Sequence, residues 1–142
     1  MTIGAILQNK GPEVLSTRAD ASVRDAVTLL AERRIGALPV LEDDRVLGVI
    51  SERDVVYCLQ SDGPEVLDWP VSRVMTAPAI TVTRDVSVLG ALSQMSQRRI
   101  RHLPVVENER LIGIVSIGDL VKFRIDRIEE EAQAMRAYIT GA

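Results

Sequence analysis

The chain has 142 residues, of which 46% are apolar and 26% are charged. A chain of this length buries roughly 68–70% of its unfolded surface, so its core needs no support from disulfides or metals. The net charge of −3 and the aromatic content of 3% argue against a surface that binds nucleic acid or acidic membranes.

One cysteine and one histidine, Cys58 and His102, limit the chemistry further. A single cysteine forms no internal disulfide, which favours a reducing compartment, and one histidine argues against a histidine-rich metal site. The first residues lack the basic and apolar regions of a signal peptide, and the apolar runs are too short to span a membrane. We therefore expect a cytoplasmic protein without a metal.

The first predicted elements are a short extended stretch, an amphipathic helix, a β-hairpin and a second helix. The extended stretch covers residues 14–17, and the first helix follows Ser22, a candidate N-cap. Two apolar runs, 37–41 and 46–50, are separated by four polar residues and predict the hairpin. The second helix begins at Ser51.

The same order of elements recurs 65 residues later, because the sequence repeats itself. Between residues 16–56 and 81–121, 16 of 41 aligned positions are identical. Each copy has the order β-α-β-β-α, and neither is large enough to bury its sheet alone. Two copies packed face to face predict an α+β fold with pseudo-two-fold symmetry. We place the first repeat and its N-terminal segment at 1–62, the linker and entry to the second repeat at 63–78, and the second repeat at 79–125.

A long helix is predicted at the C-terminus, reaching into an extension formed by residues 126–142. Its apolar residues alternate at spacings of four and three, as in a coiled-coil seam. They are Val121, Ile125, Ile128, Ala132, Met135 and Ile139. Two interpretations stay open: the helix packs back on its own domain, or the seam is a subunit interface.

Each second helix starts with the same motif, Gly-x-x-Ser-x-x-Asp, at residues 48–54 and 113–119. The structural interpretation is helix capping, in which Ser51 and Ser116 are N-caps and the aspartate three residues later completes a capping box. The functional interpretation is ligand binding, because a carboxylate accepts hydrogen bonds from both hydroxyls of a ribose and a helix N-terminus favours phosphate.

The chain resembles a tandem pair of cystathionine-β-synthase (CBS) domains, also called a Bateman module. The resemblance rests on the duplicated unit, on both Gly-x-x-Ser-x-x-Asp motifs, on Leu-Pro-Val at 38–40 and 103–105, and on Val74, Met75 and Thr76. It implies two clefts between the repeats that bind adenosine-containing ligands. In such clefts the motif aspartate holds the ribose, the opening strand of the other copy frames the adenine, and basic residues before Leu-Pro hold the phosphate.

Applied to this sequence, the resemblance implies two unequal sites. The site that we favour for a phosphorylated ligand has a basic pair before Leu-Pro and consists of Leu15, Ser16, Arg101, His102, Pro104, Ser116 and Asp119. The second site lacks that pair and consists of Ala79, Ile80, Thr81, Pro39, Ser51, Arg53 and Asp54. No residue is assigned a catalytic or metal-binding role.

Some of these residues also have a structural interpretation. His102 can be a solvated polar tip at the start of a strand. For the arginine pairs at 33–34 and 98–99, the structural interpretation is that their charges complement a helix dipole and do nothing else. Cys58 has no basic neighbour in the sequence and fits an inert buried thiol.

The resemblance implies a regulatory or sensor module without catalysis and without a required cofactor. AMP is the expected ligand, with ADP, ATP, NAD(H) or S-adenosylmethionine as alternatives. Such a module signals through the geometry of a homodimer or through a separate effector protein. The alternative is a structural homodimerisation module with vestigial clefts. CBS pairs also occur inside inosine-monophosphate dehydrogenases, but that activity needs a barrel of about 250 residues, which this chain cannot contain.

Overall fold

Ten helices and strands follow one another in the computed structural model, which describes residues 1–141. In chain order they are α1 (Ile3–Lys10), β1 (Thr17–Arg18), α2 (Val23–Arg33), β2 (Ala37–Glu42), β3 (Arg45–Ser51), α3 (Glu52–Asp62), α4 (Val88–Arg98), β4 (His102–Glu107), β5 (Arg110–Ser116) and α5 (Ile117–Thr140). Two short 3₁₀ helices, Pro64–Asp68 and Val71–Arg73, connect α3 to the second repeat. The fold is α+β, as predicted.

Both predicted hairpins form, and they have the same register. Strands β2 and β3 pair antiparallel from Ala37 opposite Ser51 to Glu42 opposite Arg45, and β4 and β5 repeat this pattern. The turn of the first hairpin has two successive residues of positive φ, Asp43 (51°) and Asp44 (68°), and the second hairpin has the same geometry. This turn conformation matches the twist of the flanking strands and sets the register of the hairpin. The register in turn determines which side chains face the core.

The opening strands are shorter than predicted. Strand β1 has two residues and pairs in parallel with β2, and its counterpart in the second repeat is a single bridge between Val82 and Val105. The predicted opening stretch of the second repeat, from Ala79, pairs with its own sheet only at Val82, while its first residue donates the Ala79 N–H to the carbonyl of Leu47 in the other repeat. The start of this stretch therefore lies between the repeats.

The two repeats exchange the segments that precede them. Helix α1 precedes the first repeat but packs into the core of the second, where Ile3 and Ile6 are buried. Val66 and Val71 precede the second repeat but are fully buried in the core of the first. The predicted linker, 63–78, is thus ordered and packed, and each half of the fold is completed by a segment from outside its own repeat.

In each core, the apolar face of a helix packs against the hairpin of the same repeat. In the first repeat, Val23, Ala26 and Leu30 of α2 are buried together with Leu38, Val40 and Ile50. In the second, Val88, Ala91 and Met95 of α4 are buried with Leu103, Val105 and Val115. Strands β3 and β5 contact each other. The motif aspartates follow these strands and therefore lie at the junction of the two halves.

Helix α5 packs on the domain only at its start. Leu120 is fully buried and Phe123 is partly buried against the second core. The predicted seam faces away from the domain, and its exposed members rise from Val121 at 43% to Ile139 at 73% exposure. The interpretation in which the seam packs back on its own domain is therefore wrong, since Leu120 and Phe123 lie on a different face. Among residues 1–141, no helix is long and apolar enough to cross a membrane.

Candidate functional site

Both motif aspartates complete capping boxes. Ser51 Oγ accepts the N–H of Asp54 at 3.2 Å, and Asp54 Oδ2 accepts the N–H of Ser51 at 3.0 Å. Ser116 and Asp119 make the same pair of bonds at 3.1 and 2.9 Å. Capping uses one oxygen of each carboxylate, so it leaves the other oxygen for a further partner. The capping and ligand-binding interpretations are therefore compatible.

Asp54 is held by a neutral donor at its second oxygen. Thr76 Oγ1 donates to Asp54 Oδ1 over 3.0 Å. Thr76 itself is fixed by two backbone hydrogen bonds with Val49, at 2.9 and 3.0 Å. The carboxylate is half-buried and its orientation is fixed from both sides, while its charge is not neutralised by a cation within ion-pair distance in the described chain.

A cavity of about 250 Å³ lies between the repeats beside Asp54. Its lining comes from three parts of the chain: the start of α3 with its neighbours, the segment before the second repeat, and the turn between α4 and β4. The residues are Gly36, Val49, Ser51, Glu52, Arg53, Asp54, Thr76, Pro78, Ala79, Ile80, Arg99, Ile100, Arg101 and His102. Apolar walls therefore face a small set of charged and polar groups, as in small-molecule sites.

Three guanidinium groups line this cavity. Arg53 comes from the first repeat, whereas Arg99 and Arg101 come from the second. None of the three pairs with an acidic side chain within 4.0 Å in residues 1–141. Glu52 is the single acidic group in the lining besides Asp54. The excess of cationic residues in the lining suits a phosphate, which accepts charge-assisted hydrogen bonds from arginine.

His102 lies half-buried at the centre of the junction. Its ring packs on Gly36, where an added Cβ would be 3.0 Å from the imidazole Cε1. Burial is the main cause that lowers the pKa of His102, and Arg101 and Lys10 lower it further, while Glu52 and Asp119 oppose them. The imidazole is therefore neutral at pH 7 and provides one donor and one acceptor.

The structure brings together most of the predicted second site. Ser51, Arg53, Asp54, Ala79 and Ile80 all line the cavity. The other two members lie elsewhere: Pro39 is buried in β2 opposite Val49, and Thr81 is outside the lining.

The site predicted around Asp119 is divided. Its basic pair, Arg101 and His102, lines the cavity beside Asp54, although His102 is also the strand partner of Ser116. Leu15 packs against the core of the first repeat, and Ser16 lines a separate surface depression near the β2–β3 turn. Pro104 is buried in β4 opposite Ile114, which leaves Ser116 and Asp119 in their capping box.

Asp119 has a charged partner that sequence reasoning missed. Lys10 Nζ lies 2.8 Å from Asp119 Oδ2 and donates a second hydrogen bond to the carbonyl of Ile114, also over 2.8 Å. Burial is the largest influence and raises the pKa of Asp119, but the hydrogen bonds from Lys10 and Ser116 outweigh it and lower the pKa overall. Nothing in the sequence signalled this contact, because Lys10 lies 109 positions from Asp119.

Two further residues of the cavity had a signal in the sequence. Thr76 belongs to the Val-Met-Thr segment, but its hydrogen bond to Asp54 needed the folded chain to be seen. Arg99 belongs to the arginine pair at 98–99, and it lines the cavity from the C-cap of α4, where its φ is 54°. In the described part of the chain, no cluster of three or more His, Cys, Asp or Glu side chains is arranged to hold a metal ion.

Comparison with known proteins identifies the relatives of this fold. The sequence model described as CBS domain matches residues 10–61 and 71–126. The mitochondrial CBS domain-containing protein CBSX3 of Arabidopsis thaliana is 36% identical over 149 aligned positions, which cover 99% of this chain and 72% of that protein. The CBS-domain protein ATU1752 of Agrobacterium tumefaciens superposes with a TM-score of 0.82 at 36% identity, covering 87% of this chain and 92% of the other. CBSX2, solved in complex with AMP, superposes with a TM-score of 0.74 at 28% identity, covering 88% of this chain and 96% of that one.

Proposed function

The chain belongs to the CBS domain family as a tandem pair, and from that premise we propose that it is a non-catalytic regulatory module that binds AMP in the cavity beside Asp54. The observation that carries the proposal is that one cleft combines a fixed carboxylate, an apolar wall and three arginines that make no ion pair within residues 1–141. These are the groups that a ribose, an adenine and a phosphate require. The AMP complex of the related CBSX2 supports the same ligand class.

The arrangement gives each part of the ligand a partner. The ribose hydroxyls donate to Asp54, whose carboxylate Thr76 holds in place. The adenine lies against Ile80 and Val49, and the phosphate meets Arg53 or Arg101. The cavity volume of about 250 Å³ is just below the roughly 300–1,000 Å³ of small-molecule sites, which favours a nucleoside monophosphate over a dinucleotide such as NAD.

The position of Arg101 and His102 supports placing the ligand at Asp54 rather than at Asp119. The sequence-based preference for Asp119 depended on this basic pair, and both residues line the cavity beside Asp54. A module of this kind transmits ligand binding through the geometry of a homodimer or through a separate effector. Cys58, which is free and half-buried, fits a reducing compartment such as the cytoplasm.

A melting-temperature screen with AMP, ADP, ATP, NAD, NADH and S-adenosylmethionine tests the proposal. A ligand at 100 times its dissociation constant adds about 2.7 kcal/mol to the free energy of unfolding. For a domain of this size, that raises Tm by several degrees, since each kcal/mol corresponds to roughly 2–8 °C. We expect the largest shift with AMP. If none of the six compounds shifts Tm, the structural homodimerisation module replaces the sensor.

The affinity for AMP is expected to fall as pH rises from 6 to 8. The pKa of His102 is lowered in the free protein, and a phosphate dianion nearby favours the protonated imidazole, so binding takes up a proton. A rise of one unit in that pKa on binding makes AMP bind up to about tenfold tighter at the lower pH. The measurement is calorimetry across this range with His102→Gln as control, which cancels the titration of the phosphate itself. Superimposable pH profiles of the two proteins would contradict this role of His102.

The seam on α5 supports a homodimer. From residue 124 to residue 141 every side chain is exposed except Ala132, which is half-buried. A projecting helix of this length without tertiary contacts is only marginally stable in water. The flanks of the seam hold Arg124 with Glu129, and Glu131 with Arg136. At this five-residue spacing, opposite charges face each other across a parallel pair of such helices.

Ile128→Glu is expected to convert the dimer to a monomer. Ile128 is 49% exposed in the single chain, and in the paired seam two carboxylates would be buried against each other. Sedimentation equilibrium at micromolar concentration measures the change. Gln133→Glu is the matched control, because it adds the same charge on α5 outside the seam and should leave the dimer intact. A wild-type monomer at these concentrations would refute the α5 interface.

A further inference from the structure

Lys10 forms an ion pair with Asp119 at the start of α5, through the same carboxylate oxygen that caps the helix. Its ammonium donates to Asp119 Oδ2 and to the carbonyl of Ile114, both over 2.8 Å. Asp119 Oδ2 also accepts the N–H of Ser116 over 2.9 Å. The side chains of Lys10 and Asp119 are 38% and 26% exposed, so solvent screens this pair less than a fully exposed one.

Lys10 is held in this place by the docking of α1. Ile3 and Ile6 of α1 are buried in the second core, and Leu7 packs on Gly113 of β5. Two backbone hydrogen bonds of 2.9 Å, from Ile3 to Val86 and from Gly4 to Arg84, fix the start of the helix. These contacts fix the position of α1, so Lys10 at its C-terminal end is held close to Asp119.

The two clefts differ at this point although the chain is duplicated. Ile3 donates to the carbonyl of Val86 as Val71 donates to that of Ala21, and Leu7 packs on Gly113 as Met75 packs on Gly48. Met75 therefore corresponds to Leu7, and among residues 1–141 no lysine or arginine pairs with Asp54 as Lys10 pairs with Asp119. Asp54 receives the neutral hydroxyl of Thr76, whereas Asp119 receives an ammonium. A ribose offers only neutral hydroxyls. At Asp54 these hydroxyls meet a carboxylate that keeps its charge. At Asp119 the Lys10 ammonium on Oδ2 already compensates the charge, so hydrogen bonds from a ribose to the remaining oxygen, Oδ1, are weaker.

We propose that Lys10 closes the Asp119 cleft to nucleosides, so that each chain binds one nucleotide, at Asp54. Lys10 is then the residue that sets the stoichiometry of the module. The inference rests on the proposed function, because it concerns the same class of ligand. Beyond the proposed function, it states which of the two motif aspartates binds the ligand and which residue determines this.

Calorimetric titration of the full chain with AMP tests this inference through Lys10→Met. This substitution removes the ammonium and keeps an unbranched apolar side chain. We expect one AMP per chain for the wild type and two for Lys10→Met, with the affinity of the first site unchanged within about twofold. Lys10→Gln is a second variant that should also open the cleft, in case methionine alters the docking of α1.

The controls separate this inference from the proposed function. Lys122→Met removes the same charge from an exposed position on α5 and should leave one site. Adding Asp54→Asn to Lys10→Met should leave one site, now at Asp119. Two sites in the wild type, or one site in both Lys10 variants, would overturn the inference while the proposed function stands. Loss of the single site in Lys10→Met would also overturn it, since Lys10 would then bind the ligand. No binding by any of these proteins would overturn both.

Discussion

Asp54→Asn is expected to weaken AMP binding by about 10- to 100-fold, whereas Asp119→Asn leaves the affinity within about twofold. A hydrogen bond to a charged group contributes about 1.5–3 kcal/mol, and each 1.4 kcal/mol corresponds to roughly a tenfold change in Kd. Asp54 carries this effect because it lines the cavity and has no cation on its carboxylate. Asp119 is expected to have no such effect because the Lys10 ammonium on Oδ2 already compensates its charge.

Asparagine is the informative substitution at both positions. Its side-chain oxygen can still accept the N–H of the capping serine, so helix α3 or α5 keeps its cap while the charge is lost. Isothermal titration calorimetry gives both affinities, and thermal unfolding without ligand checks that the two variants remain folded. Equal losses at the two aspartates would contradict the assignment of the ligand to one cleft, and a loss only at Asp119 would reverse it.

Gly48→Ala is expected to lower the free energy of unfolding by about 1–3 kcal/mol, the range for overpacked positions. A Cβ at residue 48 would lie 2.5 Å from the backbone carbonyl oxygen of Thr76. That carbonyl accepts the N–H of Val49 over 3.0 Å, so the backbone cannot move aside without breaking the contact between the repeats. Because Thr76 also orients Asp54, the variant should bind AMP more weakly as well.

Gly113→Ala is the matched control at the equivalent position of the second repeat. There the added Cβ would lie 2.5 Å from Leu7 Cδ2, the far end of a side chain that can change its rotamer. Its loss of stability should be smaller than that of Gly48→Ala, and AMP binding should persist. Urea denaturation of both variants measures the difference. A larger loss for Gly113→Ala would show that α1 packs more rigidly on β5 than the segment around Thr76 packs on β3.

Local patterns predicted the elements of this fold well. Alternation of apolar and polar runs predicted both hairpins, and the serines at 22, 51 and 116 are the N-caps of α2, α3 and α5. These features depend on neighbours within a few residues, which the sequence displays directly. The duplication predicted that two similar halves pack together, because a small sheet with one exposed apolar face needs a second layer to bury it.

Contacts between distant segments were not predictable from these patterns. The sequence repeat suggested that each leading segment belongs to the repeat that follows it, yet α1 packs on the second repeat and Val66 and Val71 pack on the first. The same exchange brings Thr76 to Asp54 and Lys10 to Asp119. Because both contacts join segments far apart in the chain, no spacing rule reveals them. In our proposal, these two contacts decide which aspartate binds the ligand.

The most direct test of this account is a crystal structure of the protein grown with AMP. We expect one nucleotide per chain, with both ribose hydroxyls within hydrogen-bond distance of the Asp54 carboxylate and the phosphate beside Arg53 or Arg101. Lys10 should remain paired with Asp119 in the same crystal. AMP bound at Asp119 with Lys10 displaced, or bound outside the cleft between the repeats, would contradict the account.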